Sequence, residues 1–179
     1  MNHVTSRGRI VTDFALGEMT PDAFTESIDG ERYAGVNVLA SDGRSLSYVS
    51  NRGDGPVALE PGIYGLSNAA LDTPWSKLVR TRDGLRALAR SDDISRETLM
   101  QLLADRAVAP KPEIDPDGLS YELALAISAP FIVSPEYGTR STTVLTWSHD
   151  NKIRIRESRF DATGDSIGDS SFEFDVAQS

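Results

Sequence analysis

The chain has 179 residues, 39% of them hydrophobic, with 27 Asp and Glu against 18 Lys and Arg and a formal net charge of −9 at pH 7. That length suits one domain with room for a core, and an acid excess with no cluster of basic residues excludes a nucleic-acid footprint. The lack of cysteine excludes disulfides, thiolate nucleophiles and Cys-ligated metal or iron–sulfur sites.

The amino end, MNHVTSRGRIVTDFALG, lacks the apolar centre of a signal peptide, and no apolar stretch approaches bilayer length. The sequence therefore predicts a cytoplasmic protein with no membrane span. Thr20 followed by Pro21 and then acidic residues reads as the capped start of a short helix, Thr20 to Ile28. Apolar runs separated by Ser41-Asp42-Gly43 and Gly53-Asp54-Gly55-Pro56 predict an antiparallel meander of Val36–Ala40, Leu46–Ser50, Val57–Leu59 and Ile63–Leu66.

Thr73-Pro74 repeats the cap-then-proline signal, and Trp75, Leu78, Leu85 and Leu88 fall near a helical period through Ala89, with Gly84 a place where that helix could break. Ser95 caps a third helix with Leu99, Leu102, Leu103 and Ala107 as its apolar stripe. APKPEIDPDG is a surface loop, and LSYELALAISAPFIV reads as helix first and strand after Pro130. Thr142–Ser148 and Lys152–Phe160 form a hairpin about His149-Asp150-Asn151, and Ser171–Asp175 supplies a last strand. Helices and strands in separate blocks argue α+β rather than a parallel βαβ array.

Chemistry is sparse. The chain has two histidines, His3 near the terminus and His149 in a turn, so a Ser-His-Asp triad has only His149 to use, and a solvated turn histidine is the plainer reading. No spacing of ligands suggests a dedicated metal site. In GIYGLSNAALDTPW a strand-like run delivers Ser67 and Asn68 to a loop, where an amide can donate to an oxyanion or simply close the turn. Asn51-Arg52 leads a tight turn, and Arg140 in YGTRSTTVLTW is either a rim arginine able to grip a carboxylate or phosphate, or a surface arginine in a turn.

Taken together, SRGRIVTDFAL, VNVLASD, SNRGDGPVALEPGIYGLSNAALDTPWSKL and FIVSPEYGTRSTTVL resemble, in order and spacing, the NRDE-motif family of transport and Golgi organisation 2-like proteins, from about Ser6 to Val176. The resemblance implies an N-terminal-nucleophile-hydrolase-like α+β fold, stacked antiparallel sheets flanked by helices (αββα), over residues 1–179 as one domain. Complete members resemble the penicillin V acylase and bile-salt hydrolase group, in which a terminal cysteine is the nucleophile and its own amine the base. By that analogy Asn68 resembles the oxyanion-hole asparagine and Arg140 the arginine that braces the nucleophile. Asn51, Arg52, Tyr64, Ser67, Trp75 and Tyr137 are the candidate ligand contacts around them.

The departures set the functional expectation. Met1 is followed by Asn2, and neither cysteine nor the Asn-Arg-Asp-Glu string is present, so the sequence reads as an amino-terminally truncated, incomplete member. Exposed sheet edges would then make it marginal or self-associating. The resemblance implies cleft binding or trafficking of a small amphipathic or acidic ligand, haem or lipid and acyl-CoA related, rather than catalysis. The alternative is a fragment of a cysteine amide hydrolase whose first part is missing. No resident cofactor is expected; haem enters as a transported ligand, with Met1, Met19 and Met100 the only soft ligands and Arg140 or Arg52 able to pair its propionates.

Overall fold

The computed structural model describes residues 6–114, 118–135 and 137–176 and divides into two compact units, Met1–Thr73 and Pro74–Ser179. The first carries α1 (Gly8–Leu16), α2 (Pro21–Glu26), a 3-10 turn (Gly30–Arg32) and an antiparallel sheet of β1 (Asn37–Ser41), β2 (Leu46–Ser50) and β3 (Val57–Ala58), in that order. Helix α2 starts where the sequence sets it. Thr20 caps it by accepting from the Ala23 amide, Pro21 takes the position whose N–H has no helical partner, and Asp22 suits the positive end of the dipole.

The core of this unit is Ile10, Phe24, Val36 and Ala40, with Phe14, Ile28, Tyr33 and Val38 packed against it. Phe14 and Phe24 tilt their rings at 44° with centroids 4.9 Å apart. Burial of a side chain such as Phe24 contributes about 2–3 kcal/mol. Beside it the fully buried Thr25 hydroxyl meets the Ser47 hydroxyl at 2.9 Å, which ties α2 to β2.

The β1–β2 hairpin turns at Gly43, whose φ of 84° favours glycine, while the Asp42 carboxylate accepts from the Ser45 and Arg44 amides. Those two amides hold the Asp42 carboxyl below its ordinary value. The fourth strand expected at Ile63–Leu66 does not form. Pro61 has no amide to offer a ladder, and Gly65 spends both backbone groups on Asp72, its amide donating to Oδ1 at 2.8 Å and its carbonyl accepting from the Asp72 amide at 2.7 Å.

The second unit carries α3 (Ser76–Arg90), α4 (Arg96–Leu103), α5 (Tyr121–Ile127) and a second antiparallel sheet, β4 (Ser141–Trp147), β5 (Lys152–Phe160) and β6 (Ser166–Asp175), again in chain order. Helix α3 begins later than Thr73-Pro74 suggests, with Trp75 at its N-cap position and no side-chain cap bond; the Thr73 hydroxyl donates instead to the Ala70 carbonyl. Gly84 does not break the helix. A Cβ there would lie 2.5 Å from Leu102 Cδ1, so the glycine lets α3 and α4 approach. Ser95 caps α4 in a reciprocal box with Thr98, as its sequence position suggests.

The strand expected after Pro130 reduces to one isolated bridge, Val133 to Gly138. The hairpin of β4 and β5 has the expected turn, with Asn151 at φ 58°. The last strand is longer than expected, because β6 pairs back along β5 to Ser166 across a bulge at Arg159/Phe160. The class is α+β: the described residues form five α-helices and two three-stranded antiparallel sheets, one sheet in each unit.

Candidate functional site

The first unit contains an open groove of about 690 Å³ lined by Arg7, Ile10, Val11, Gly35 to Leu39, Arg52, Ser67 and Asn68. The sequence-predicted residues Arg52, Ser67 and Asn68 thus come together, with α1 and β1 supplying the rest. Val11 is 70% exposed and Leu39 49%, so much of the aliphatic wall offered by Ile10, Val11, Val36, Val38 and Leu39 faces solvent. The charged lining residues among those described are Arg7 and Arg52, both positive in a chain of net charge −9.

A buried polar network sets the Ser67–Asn68 side. Tyr48, 5% exposed, donates its hydroxyl to Asn37 Oδ1 at 2.9 Å and accepts from the Leu71 amide at 3.1 Å. Asn37 Nδ2 in turn donates to the carbonyls of Ser67 and Ala69 at 3.4 and 3.0 Å. Two side chains of the sheet therefore hold the 67–71 loop by its backbone, leaving the Asn68 amide without a hydrogen bond among the described residues.

Asn51, outside the groove lining, braces the segment before it. Its Oδ1 accepts from the Val36 amide at 2.9 Å, and its Nδ2 donates to the Gly30 and Tyr33 carbonyls at 3.1 and 3.0 Å. Most of its amide's bonding capacity is thus spent on the segment that leads into Gly35. Arg52, next in the chain, points its guanidinium over Gly35: a Cβ there would lie 2.6–2.9 Å from Nη2, Cζ and Nε. Arg7 reaches the same residue, donating from Nη1 to the Gly35 carbonyl at 3.2 Å.

Tyr64 lies in the first unit outside the groove lining, folded back so that its hydroxyl donates to the Glu60 carbonyl at 2.8 Å with its ring over Gly62. Trp75, Tyr137 and Arg140 belong to the second unit. Trp75 stands 5.4 Å from the Lys77 ammonium, whose Nζ also donates to the Ile127 carbonyl; burial lowers the pKa of Lys77. Tyr137 is 54% exposed, its backbone clasped by the Ser134 hydroxyl.

Arg140 donates from Nη1 to the Asp161 carbonyl at 2.6 Å, at the start of the β5–β6 turn. Arg106 holds the same turn at the Gly164 carbonyl, 2.7 Å away. Inside it the Asp161 carboxylate accepts from the Thr163 hydroxyl and the Asp165 amide, which hold its carboxyl below the ordinary value. His149 sits exposed in the β4–β5 turn, and His3 lies outside the described residues.

The described groove residues offer hydrogen-bond donors, two cations and aliphatic surface, but no carboxylate, imidazole or amine to serve as a base to Ser67. Among the described residues no cluster of His, Asp and Glu is arranged to hold a metal ion, and no helix is long and apolar enough to cross a membrane. Arg7 and Gly35 escaped sequence reasoning as site residues. The signal available for Arg7 was its place in SRGR, where a helix starts with arginine rather than a capping residue.

A family model described as Transport and Golgi organisation 2 matches residues 1–162. The chain is 35% identical to the Transport and Golgi organization protein 2 homolog of Bos taurus and 33% identical to that of Homo sapiens. It is 30% identical to the Transport and Golgi organization 2 homolog of Mus musculus. Each match runs over 167 residues and covers 84% of this chain and 60% of the relative, so the chain spans about 60% of the length of the curated relatives it matches.

Proposed function

The chain belongs to the Transport and Golgi organisation 2 family, and on that premise we propose that its first unit binds a small amphipathic ligand as cargo rather than as substrate. The observation that carries this reading is the composition of the groove, where five aliphatic side chains line one cavity with Ser67 and Asn68 at its polar side. Such a cavity lies within the usual size of small-molecule sites, which combine apolar walls with a few polar groups for orientation. Haem and acyl-CoA-type lipids, the ligands implied by the family resemblance, share this division into apolar body and polar oxygens. The hydrolase-like fold implied by the same resemblance enters the proposal as a binding scaffold, and transport, the word in the relatives' names, is the process such binding would serve.

The test is a fluorescence titration with cis-parinaric acid, a polyene fatty acid that brightens in apolar surroundings. Val11 and Leu39 are exposed on the groove wall, so Val11→Glu with Leu39→Glu adds charge to the groove without opening the core. Saturable brightening with wild type and its loss in the double variant is the expected result. Equal brightening in both proteins would sink the groove as the site.

A further inference from the structure

Resting on that reading of the groove, we propose that Arg7 and Arg52, meeting over Gly35 at the amino end of α1, form an oxyanion subsite that takes the carboxylate or phosphate head of the ligand. The first support is geometric. Arg7 Nη1 lies 3.2 Å from the Gly35 carbonyl, and the Arg52 guanidinium occupies the space that a Cβ on Gly35 would need. Gly35 is not among the glycines with positive φ, so its missing side chain serves that close approach and not an unusual backbone conformation.

The second support is the missing counter-charge. Four arginines elsewhere pair with acids, Arg80 with Asp105, Arg86 with Asp83, Arg154 with Glu173 and Arg156 with Glu97, while Arg106 and Arg140 spend donors on backbone carbonyls. In the groove, two guanidiniums converge with no carboxylate among the described lining residues, although acids outnumber bases 27 to 18 in the chain. The Arg52 guanidinium makes no hydrogen bond or ion pair with another described residue. Like charges brought to one residue repel, and an anion taken up there relieves that repulsion while engaging the guanidinium donors not spent on the Gly35 carbonyl.

The third support is the start of α1. Helix α1 begins at Arg7 with no side-chain cap bond and no acid in its first turn. Its dipole therefore presents uncompensated positive charge at Arg7, the residue that supplies one of the two guanidiniums. The Asn68 amide, free of other described partners, supplies a further donor among the groove's lining residues. The aliphatic residues then receive the chain that the head group carries.

The experiment compares decanoate, decyl phosphate, decanol and inorganic phosphate by calorimetry against wild type, Arg7→Gln, Arg52→Gln, Arg52→Lys and Gly35→Ala, with thermal melts to verify folding. The two charged amphiphiles are expected to bind wild type about tenfold or more tighter than decanol, the scale of one charge-assisted hydrogen bond. Arg7→Gln and Arg52→Gln should bring them toward the decanol level and leave decanol itself unchanged. Arg52→Lys should recover part of the loss, since it keeps the charge without the fork, and Gly35→Ala should weaken the anions by pushing the Arg52 guanidinium aside. Inorganic phosphate should compete with decanoate. Decanol binding as tightly as decanoate, or arginine variants with unaltered decanoate affinity, would overturn the subsite while the groove stands. Arginine-dependent binding of phosphate with no gain from a decyl chain would overturn the groove reading and leave the subsite. No binding by any probe would remove both.

Discussion

Replacing Asn51 by alanine separates a residue that touches ligand from one that builds the place where ligand sits. The Asn51 amide makes three bonds to backbone, with Val36, Gly30 and Tyr33, at 2.9, 3.1 and 3.0 Å. Each such bond contributes about 0.5–1.5 kcal/mol net, and the exposure of this side chain argues for the lower half, so Asn51→Ala should cost about 2 kcal/mol. In a chain of this size that lowers the melting temperature by about 4–8 °C. Asn51→Asp sharpens the test: it keeps the acceptor for the Val36 amide but turns a carboxylate oxygen toward two carbonyls, so at neutral pH it should destabilise at least as much as alanine. Protonation lets that oxygen donate again, so the gap to wild type should narrow in acid. Urea unfolding followed by far-ultraviolet circular dichroism measures both. Variants within about 0.5 kcal/mol of wild type that nonetheless lose decanoate binding would make Asn51 a ligand group and not a structural brace.

Tyr48→Phe removes a buried hydroxyl bonded to Asn37 and to the Leu71 amide. It should cost about 2 kcal/mol in urea unfolding and speed hydrogen exchange at the Leu71 amide; unchanged exchange there would contradict the network's role. Thr25→Val leaves the Ser47 hydroxyl with only its 3.4 Å contact to the Val57 carbonyl, at a cost of about 1–2 kcal/mol in the same assay; an unchanged stability would refute it. For Asp161, the Thr163 hydroxyl is the first cause of the lowered pKa, followed by the Asp165 amide. A lowered folded-state value contributes stability above the unfolded value of about 3.9 and loses it as pH falls through the folded one. Carbon-detected NMR should therefore find Asp161 titrating below free aspartate and moving upward in Thr163→Ala; an unmoved titration would refute the assignment of cause.

Much of the fold is local in origin, and that part is legible in the residues. Thr20 and Ser95 cap helices because their hydroxyls accept from amides three positions on, and Asp42-Gly43 turns a hairpin because one side chain caps two amides and the other tolerates positive φ. Helix α1 is hidden because it has neither a cap bond nor an acidic first turn, only an apolar stripe that packs Ile10 and Phe14 into the core. Ile63–Leu66 resembles a strand until the Asp72 carboxylate, seven residues away, takes the Gly65 amide.

The site follows the same division. Arg52, Ser67 and Asn68 were legible as polar residues at turns and loop entries, and the structure gathers them in one groove. Arg7 and Gly35 were not, because their meaning lies in an approach between residues distant in the chain, a guanidinium filling the space of a missing Cβ. The amide of Asn51 was equally hidden, since its partners are backbone groups 15 to 21 residues earlier.

Titrating decanoate into isotopically labelled protein and mapping the amide shifts shows whether the first unit carries a ligand groove. Saturable shifts are expected at Gly35, Val36, Val38, Ser67 and Asn68, with the side-chain methyls of Val11 and Leu39 moving alongside them. Shifts that fail to saturate, or that are largest away from these residues, would contradict a ligand groove there.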